Sequence, residues 1–224
     1  MLTLEGAVDF HVHADPELFG RIGDAVEIAR RCAAAGMRAL VFKAHHEGTM
    51  TRAYFVNRQV GNLQAFGGLV LNDFVGGINP TAVQAALDMG ARVIWAPTMH
   101  SKHHEDTFGR GTYGIKRQTH EGTIARPGIQ VLTAHGAVLE ICANIAQPMA
   151  FHQGGGMLLG QVADLVTRAG VDQCIVATDA GQPYSPWPDE ELRAFVNCLF
   201  DVGMDEPTIR RLVSENPARL LGLD

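Results

Sequence analysis

Short apolar runs and stretches of helical spacing take turns along this chain. The first run, Ala7-Val8-Asp9-Phe10-His11-Val12-His13, starts after Gly6 and reads as a β-strand ending in a His-x-His pair. Over 23–35 the positions Val26, Ile28, Ala29, Cys32 and Ala33 fall mostly on one side of a helix, which Gly36 ends. Ala39-Leu40-Val41-Phe42 is a second strand, running into Lys43-Ala44-His45-His46. Thr49 or Thr51 caps a second helix to about Val60. A third strand spans 66–71, with Gly67-Gly68 near its start, and gives way to a turn at Gly76-Gly77. Asn79 as N-cap and Pro80 at the first helical position open a third helix that stops at Gly90, and 92–96 is the fourth strand.

Strand followed by helix, repeated, implies parallel strands joined by right-handed crossovers, hence an α/β protein. The rhythm lapses from Thr98 to Gly128, a stretch holding His100, His103, His104 and His120 among glycines and charges. A loop of that length in a compact domain is a lid over a pocket or a surface excursion. Periodicity returns with a strand over 137–142, a helix near 157–169 and a strand over 173–177 that runs into Thr178-Asp179-Ala180-Gly181. Pro186 and Pro188 introduce a helix that ends at Gly203, and a last helix closes at Asn216-Pro217-Ala218-Arg219-Leu220-Leu221. That gives about six strand-helix units with no linker between them, so residues 1–224 are expected to form a single domain.

A formal net charge of −6 gives no reason to expect nucleic acid or an anionic membrane as partner. No apolar run approaches the ~18 residues of a membrane span. The first residues lack the basic and apolar regions of a signal peptide, and the four cysteines form no C-x-x-C, so a reducing, cytoplasmic setting is expected.

In parallel α/β folds the active site lies at the carboxyl ends of the strands. Three clusters fall there: His11 with His13, then Lys43, His45 and His46, then Asp179. In an extended segment residues i and i+2 share a face, so both imidazoles of the His-x-His pair point one way and make half of a metal site. His45 shares a strand face with Lys43 and is the better ligand of its pair, with His46 beside it near the substrate. Asp179 is a ligand or the group that takes a proton from an activated water. Lys43 is a charge partner for substrate, or carries a carbamate that bridges metals. The bland alternatives are a strand-end lysine and a turn-capping aspartate.

Val-Asp-Phe-His-Val-His, Ala-Thr-Asp-Ala-Gly and Glu-Asn-Pro-Ala-Arg-Leu-Leu-Gly together resemble the amidohydrolase superfamily, and most closely an uncharacterised branch of small amidohydrolase-related proteins. That resemblance implies a TIM-barrel-like (β/α) fold with one or two divalent metals, Zn2+ first and Mn2+ or Fe2+ as alternatives, with His11, His13 and Asp179 among the ligands. About six strands in place of eight imply a truncated or distorted barrel. The histidines usual on the fifth and sixth strands have only His135 and His152 as counterparts, or else His100, His103 or His104 from the long loop. Substrate contacts are expected from His46, His100, His103, His104 and Arg117.

The implied function is a metal-dependent hydrolase of a C–N bond, cyclic amide, ester or lactone in a small molecule. A His-x-His beside a strand-two histidine is also similar to the polymerase-and-histidinol-phosphatase type of phosphoesterase, for which Arg110, Lys116, Arg117, Arg126 and the run Gly154-Gly155-Gly156 would serve a phosphate. A third expectation is a catalytically incomplete metal-binding or scaffold protein. So short a barrel would leave apolar outer helix faces for a second copy of the chain to cover, so a homo-oligomer is among the expected assemblies.

Overall fold

A computed structural model of the protein describes residues 2–102, 104, 136–146 and 158–223. Four parallel strands, β1 (Val8–Val12), β2 (Ala39–Phe42), β3 (Gln64–Val70) and β4 (Val93–Trp95), lie side by side in chain order in one curled half-barrel sheet. Helices α1 (Ala25–Ala34), α2 (Met50–Gln59) and α3 (Pro80–Asp88) make the crossovers. A second parallel pair, β5 (Leu139–Cys142) and β6 (Cys174–Ala177), is joined by α4 (Leu159–Ala169). Just beyond β6, Ala180 bridges in parallel to Val12, which sets β6 against the open edge of β1. Among the described residues there are six strands, as the apolar runs predict, although β3 starts at Gln64 and β4 and β5 are shorter than their runs.

Among the described residues two large apolar layers, with a smaller cluster of Leu69, Leu71, Ala86 and Ala91 around α3, hold this arrangement. Val8, Phe10, Ala39, Val41, Ile175 and Ala177 pack on one face of the strands, with Phe66 and Trp95 against them. The chain end, α7 (Asn216–Leu221), adds Ala218 and Leu221 to that cluster and so fills the inner side of the half-barrel. The opposite face of the strands, with Leu40, Phe42 and Val176, packs on α1, α2, α4 and α5 (Pro188–Asp201). Burial of that many aliphatic side chains, at about 25 cal/mol per Å² of apolar surface, is the main favourable term.

The Asn-Pro-Ala-Arg stretch is an anchor. Asn216 Nδ2 donates to the carbonyls of Val171 and Cys174, both at 2.8 Å, and fixes the start of β6. Thr49 differs from the capping role its position suggests: it precedes α2 without a capping bond. Its hydroxyl donates to the Phe42 carbonyl at 2.5 Å and accepts the Gly68 N–H at 2.9 Å, tying β2 to β3. Gly67 makes the close approach feasible, because a Cβ there would strike the backbone of Thr49 and Met50. Among the described residues no helix is long and apolar enough to cross a membrane.

Candidate metal centre

β1 carries a bulge. Val8 and Asp9 pair with Ala39 and Leu40, but the next pairing is Val12 with Phe42, so three residues of β1 are spent against two of β2. The extra residue resets the alternation. Val8 and Phe10 lie in the inner cluster, whereas Val12 lies in the outer one. An unbroken strand would place Asp9 on the face of His11 and His13. Here Asp9 sits level with Leu40 of the outer layer, and its charge reaches Cys32 on α1.

Asp9 is fully buried and faces three donors. Its Oδ1 accepts the N–H groups of His11 at 3.2 Å and Thr178 at 3.0 Å, and its Oδ2 accepts the Thr178 hydroxyl at 2.6 Å. Burial pushes its carboxyl up to about 6, and the Thr178 and His11 donors hold it from rising further. Thr178 extends the support, because its Oγ accepts the Ala180 N–H at 3.0 Å. The Asp179 N–H in turn donates to the His11 carbonyl at 3.0 Å, and the His13 N–H to the Ala180 carbonyl at 2.8 Å. Between those two bonds Asp179 adopts φ 57°, the left-handed region, alone among the described non-glycine residues in having positive φ.

The side chains converge on one oxygen. Asp179 Oδ1 lies 3.0 Å from His11 Nε2 and 3.2 Å from His13 Nε2. Each imidazole is gripped from behind by a different carboxylate, His11 Nδ1 by Glu140 Oε1 at 2.8 Å and His13 Nδ1 by Glu17 Oε2 at 3.1 Å. Those contacts suit an Nδ1–H on each ring that donates to its carboxylate, the tautomer in which both Nε2 lone pairs face Asp179. Asn144 Nδ2 donates to Asp179 Oδ2 at 2.6 Å and sets the plane of the carboxylate. Glu17 is itself held by Arg21, which also bonds Gln182.

His11 Nε2 is the telling atom. It is buried and makes no aligned hydrogen bond, despite its closeness to Asp179. A buried imidazole nitrogen without a partner, aimed at a carboxylate oxygen shared with a second imidazole, fits a cation among the three. The ligand atoms of His11, His13 and Asp179 all lie within 4.8 Å of one another. Two histidines and a carboxylate form the type of donor set that holds Zn2+ or a similar divalent ion with a position left open. The electrostatics agree. Burial alone would raise the Asp179 carboxyl, yet the His11 and His13 imidazoles hold it well below the usual carboxylate range. Burial alone would lower His11, yet Asp179, with Glu140, holds it well above the usual imidazole range against Lys43. Both shifts describe a pocket that favours positive charge opposite Asp179. The histidine side chains are 6% and 1% exposed and that of Asp179 25%, so the aspartate is the most exposed of the three.

Lys43 follows β2 on the inner side, its residue 5% exposed, with Nζ 5.3 Å from the centre of the Trp95 ring. The His45 ring stacks on His13 at 4.9 Å, and its Nδ1 lies 3.1 Å from the Thr98 hydroxyl. Burial, with His13 and Lys43 nearby, lowers His45 to about 2, so it is neutral. It forms a second group of ligand atoms with His13 and Glu17, within 4.8 Å, but there Glu17 is already paired to Arg21. His46 is half-buried, with Nδ1 lacking a hydrogen-bond partner among the described residues. His100 is buried, accepts the Asp73 N–H at 3.1 Å through Nδ1 and packs on Phe74. His104 lies beside Ser101, whose Oγ accepts its N–H at 3.2 Å. His103, Arg110, Lys116, Arg117, His120, Arg126, His135, His152 and the triple glycine lie outside the described residues.

Glu140, Glu17, Asn144 and Asp9 are the members that apolar periodicity and the His-x-His pattern pass over. Glu140 did leave a trace, as a lone carboxylate inside the run Leu139-Glu140-Ile141-Cys142; a charge there needs a buried partner. Cys142 joins this corner, with Sγ 3.7 Å from His11 Nδ1, and burial pushes its thiol up to about 12.

The fold is shared with solved hydrolases of low identity. A deacetylase of N-acetyl-D-glucosamine-6-phosphate from Mycobacterium smegmatis aligns over 98% of this chain and 78% of its own, with TM-score 0.59 and 14% identity. An organophosphorus hydrolase variant from Deinococcus radiodurans aligns over 99% and 95%, with TM-score 0.55 and 16% identity. An enamidase described as a member of the amidohydrolase superfamily aligns over 98% and 68%, with TM-score 0.56 and 14% identity. At these identities the likeness is one of fold. No curated protein matches the sequence. The model of the family of unknown function DUF6282 matches residues 6–198, a span that holds His11, His13, Glu140 and Asp179, and the chain belongs to that family.

Proposed function

We propose that this protein is a metal-dependent hydrolase of the amidohydrolase type, acting on a C–N bond, cyclic amide, ester or lactone of a small molecule. The observation that carries the reading is the convergence of His11 Nε2 and His13 Nε2 on Asp179 Oδ1, with each Nδ1 held by its own carboxylate. A divalent cation held by those three residues, Zn2+ or else Mn2+ or Fe2+, would bring a water's pKa toward neutrality and polarise a carbonyl. The chain's own groups supply the rest. Glu140 and Glu17 fix the imidazole tautomers. Asn144 anchors Oδ2 of Asp179, whose carboxylate, a quarter exposed, would take a proton from the attacking water. The fold likeness to a deacetylase, an organophosphorus hydrolase and an enamidase supports hydrolysis as the reaction class. The loop residues Arg110, Lys116, Arg117 and Arg126 and the triple glycine, on which a phosphoesterase reading would rest, lie outside the described residues.

The test is elemental analysis of protein purified without chelator, with His11→Ala and Asp179→Ala variants alongside. About one equivalent of Zn, Mn or Fe, lost in both variants, is expected. The metal-loaded protein is then expected to turn over a compound from a panel of lactones, cyclic imides and N-acyl compounds. Wild-type protein that takes up no metal even after reconstitution would overturn the reading. Bound metal with no turnover on the panel would leave a metal-binding scaffold.

A further inference from the structure

Lys43 is a largely buried cation with no carboxylate in ion-pair contact among the described residues. Ala39 and Val41 of β2 belong to the inner cluster, and Lys43, two residues on, continues that side of the strand. Its backbone N–H is fixed to the Val12 carbonyl at 2.9 Å, between the two histidines of the pair. Its ammonium lies over Trp95, and the His11 ring packs against the same indole at 5.9 Å. The Trp95 ring rests on Gly68, where a Cβ would collide with it, so the platform is held in place. Among the described residues no carboxylate lies within ion-pair distance of Nζ. The nearby acids are already engaged: Glu140 by His11, and Asp179 by His11, His13 and Asn144. A lysine of which 5% is exposed has lost most of its hydration, and an anion would stabilise its ammonium where an aromatic face supplies only part of that.

We propose that Lys43 is the specificity-determining group of this site, binding an oxyanion on the substrate, a carboxylate or a phosphate, beside the bond that is cut. The proposal rests on the reading of His11, His13 and Asp179 as a metal site. Charge is consistent with it: each acid of the site already has its own donors, Asp9 in Thr178 and His11, Glu17 in His13 and Arg21, Glu140 in His11, and Asp179 in Asn144 and the His pair, so none is committed to Lys43. A carbamate on Lys43 would put negative charge over the Trp95 face and add a further anion to a pocket already holding Asp179, Glu140 and Glu17, so the free ammonium is the form the surroundings favour.

The test is calorimetric titration of the metal-reconstituted protein with succinate, with inorganic phosphate and with neutral succinamide, in wild type, Lys43→Met and Lys43→Arg, with metal content measured in each. The expected result is that one of the two anions binds the wild type and succinamide does not. Lys43→Met should then weaken the anion about tenfold or more at unchanged metal content, and Lys43→Arg should restore most of the loss. Whether succinate or phosphate is the ligand distinguishes the two sources of the oxyanion. Equal anion affinity in wild type and Lys43→Met, or no anion binding by the wild type, overturns the proposal. So does bicarbonate-dependent metal uptake lost in Lys43→Met, which would make the lysine a carbamate ligand. A wild type that binds no metal but still binds anion through Lys43 would overturn the hydrolase reading and leave the anion site standing.

Discussion

Thr178 is bound to Asp9 twice, by its backbone N–H at 3.0 Å and by its hydroxyl at 2.6 Å, and this double link joins the two strand ends that carry the site. Asp9 also receives the N–H of His11, so one buried carboxylate sets both the bulge that presents the histidines and the turn that presents Asp179. Replacing Asp9 with alanine strands three buried donors, at roughly 1–3 kcal/mol each, and the expected loss of stability is about 3 kcal/mol or more. Asp9→Asn keeps a carbonyl for the two backbone donors, and the Thr178 hydroxyl can turn to accept, so about 1 kcal/mol is expected. Urea denaturation of the two variants compares these costs. Equal midpoints would show that the donors do not depend on Asp9.

Gly181 offers a second test of how the turn supports the pair. It has φ 120°, and a Cβ there would run into the His13 carbonyl and side chain. Gly203, at φ 98°, has open space where its Cβ would be. Gly203→Ala therefore carries only the strain of a left-handed alanine, about 1 kcal/mol. Gly181→Ala adds a backbone collision and should cost about 2 kcal/mol or more, with bound metal falling because His13 is displaced. Full metal content in Gly181→Ala would contradict the placement of His13 as a ligand.

The extent to which this centre can be read from sequence follows from how local each feature is. His11 and His13 announce themselves because two residues apart on a strand is a fixed geometry, and Asp179 because a carboxylate closes an apolar run. The bulge between Asp9 and Val12 leaves no mark in the alternation, since Phe10, His11 and Val12 suit either register. Glu140 meets His11 across 129 positions of chain, and Asn144 meets Asp179 across 35, pairings that only the barrel-like closure of β5 and β6 on β1 creates. Thr49 looks like a cap from its neighbours and acts as a bolt between β2 and β3, because the packing of α2 on Gly67 draws it into the sheet.

Acid should weaken the chain end in a predictable direction. Asp205 caps α6 (Glu206–Arg210), and the Thr208 hydroxyl and backbone N–H lower its carboxyl below the usual value of 3.8. A carboxylate whose folded pKa is depressed adds stability above its unfolded pKa and loses it as pH falls through the folded value. The advantage of wild type over Asp205→Ala should therefore be full at pH 7 and shrink below about pH 4. Thermal melts of both proteins at pH 7 and at acid pH measure it, and an advantage that grows on acidification would reverse the assignment.

Glu140 and Glu17 perform the same service for the two histidines but stand in different surroundings, and their variants should separate accordingly. Glu140→Gln removes the charge behind His11 while its amide oxygen still accepts the Nδ1 proton, from a side chain 25% exposed. Metal affinity should fall about 10- to 100-fold, the usual cost of losing a carboxylate behind a ligand histidine, with little change in the stability of metal-free protein. The Glu17 side chain is 0% exposed and pairs with Arg21, which is 2% exposed. Glu17→Gln should therefore lose metal affinity in the same range and also about 3 kcal/mol of stability, because it leaves a buried guanidinium without its carboxylate. Competition against a chelating dye gives the affinities, and urea denaturation of the metal-free proteins gives the stabilities. If Glu140→Gln bound metal as tightly as wild type, His11 would not be acting through Nε2 on an ion at Asp179, and the site would have to be rebuilt around His13, Glu17 and His45.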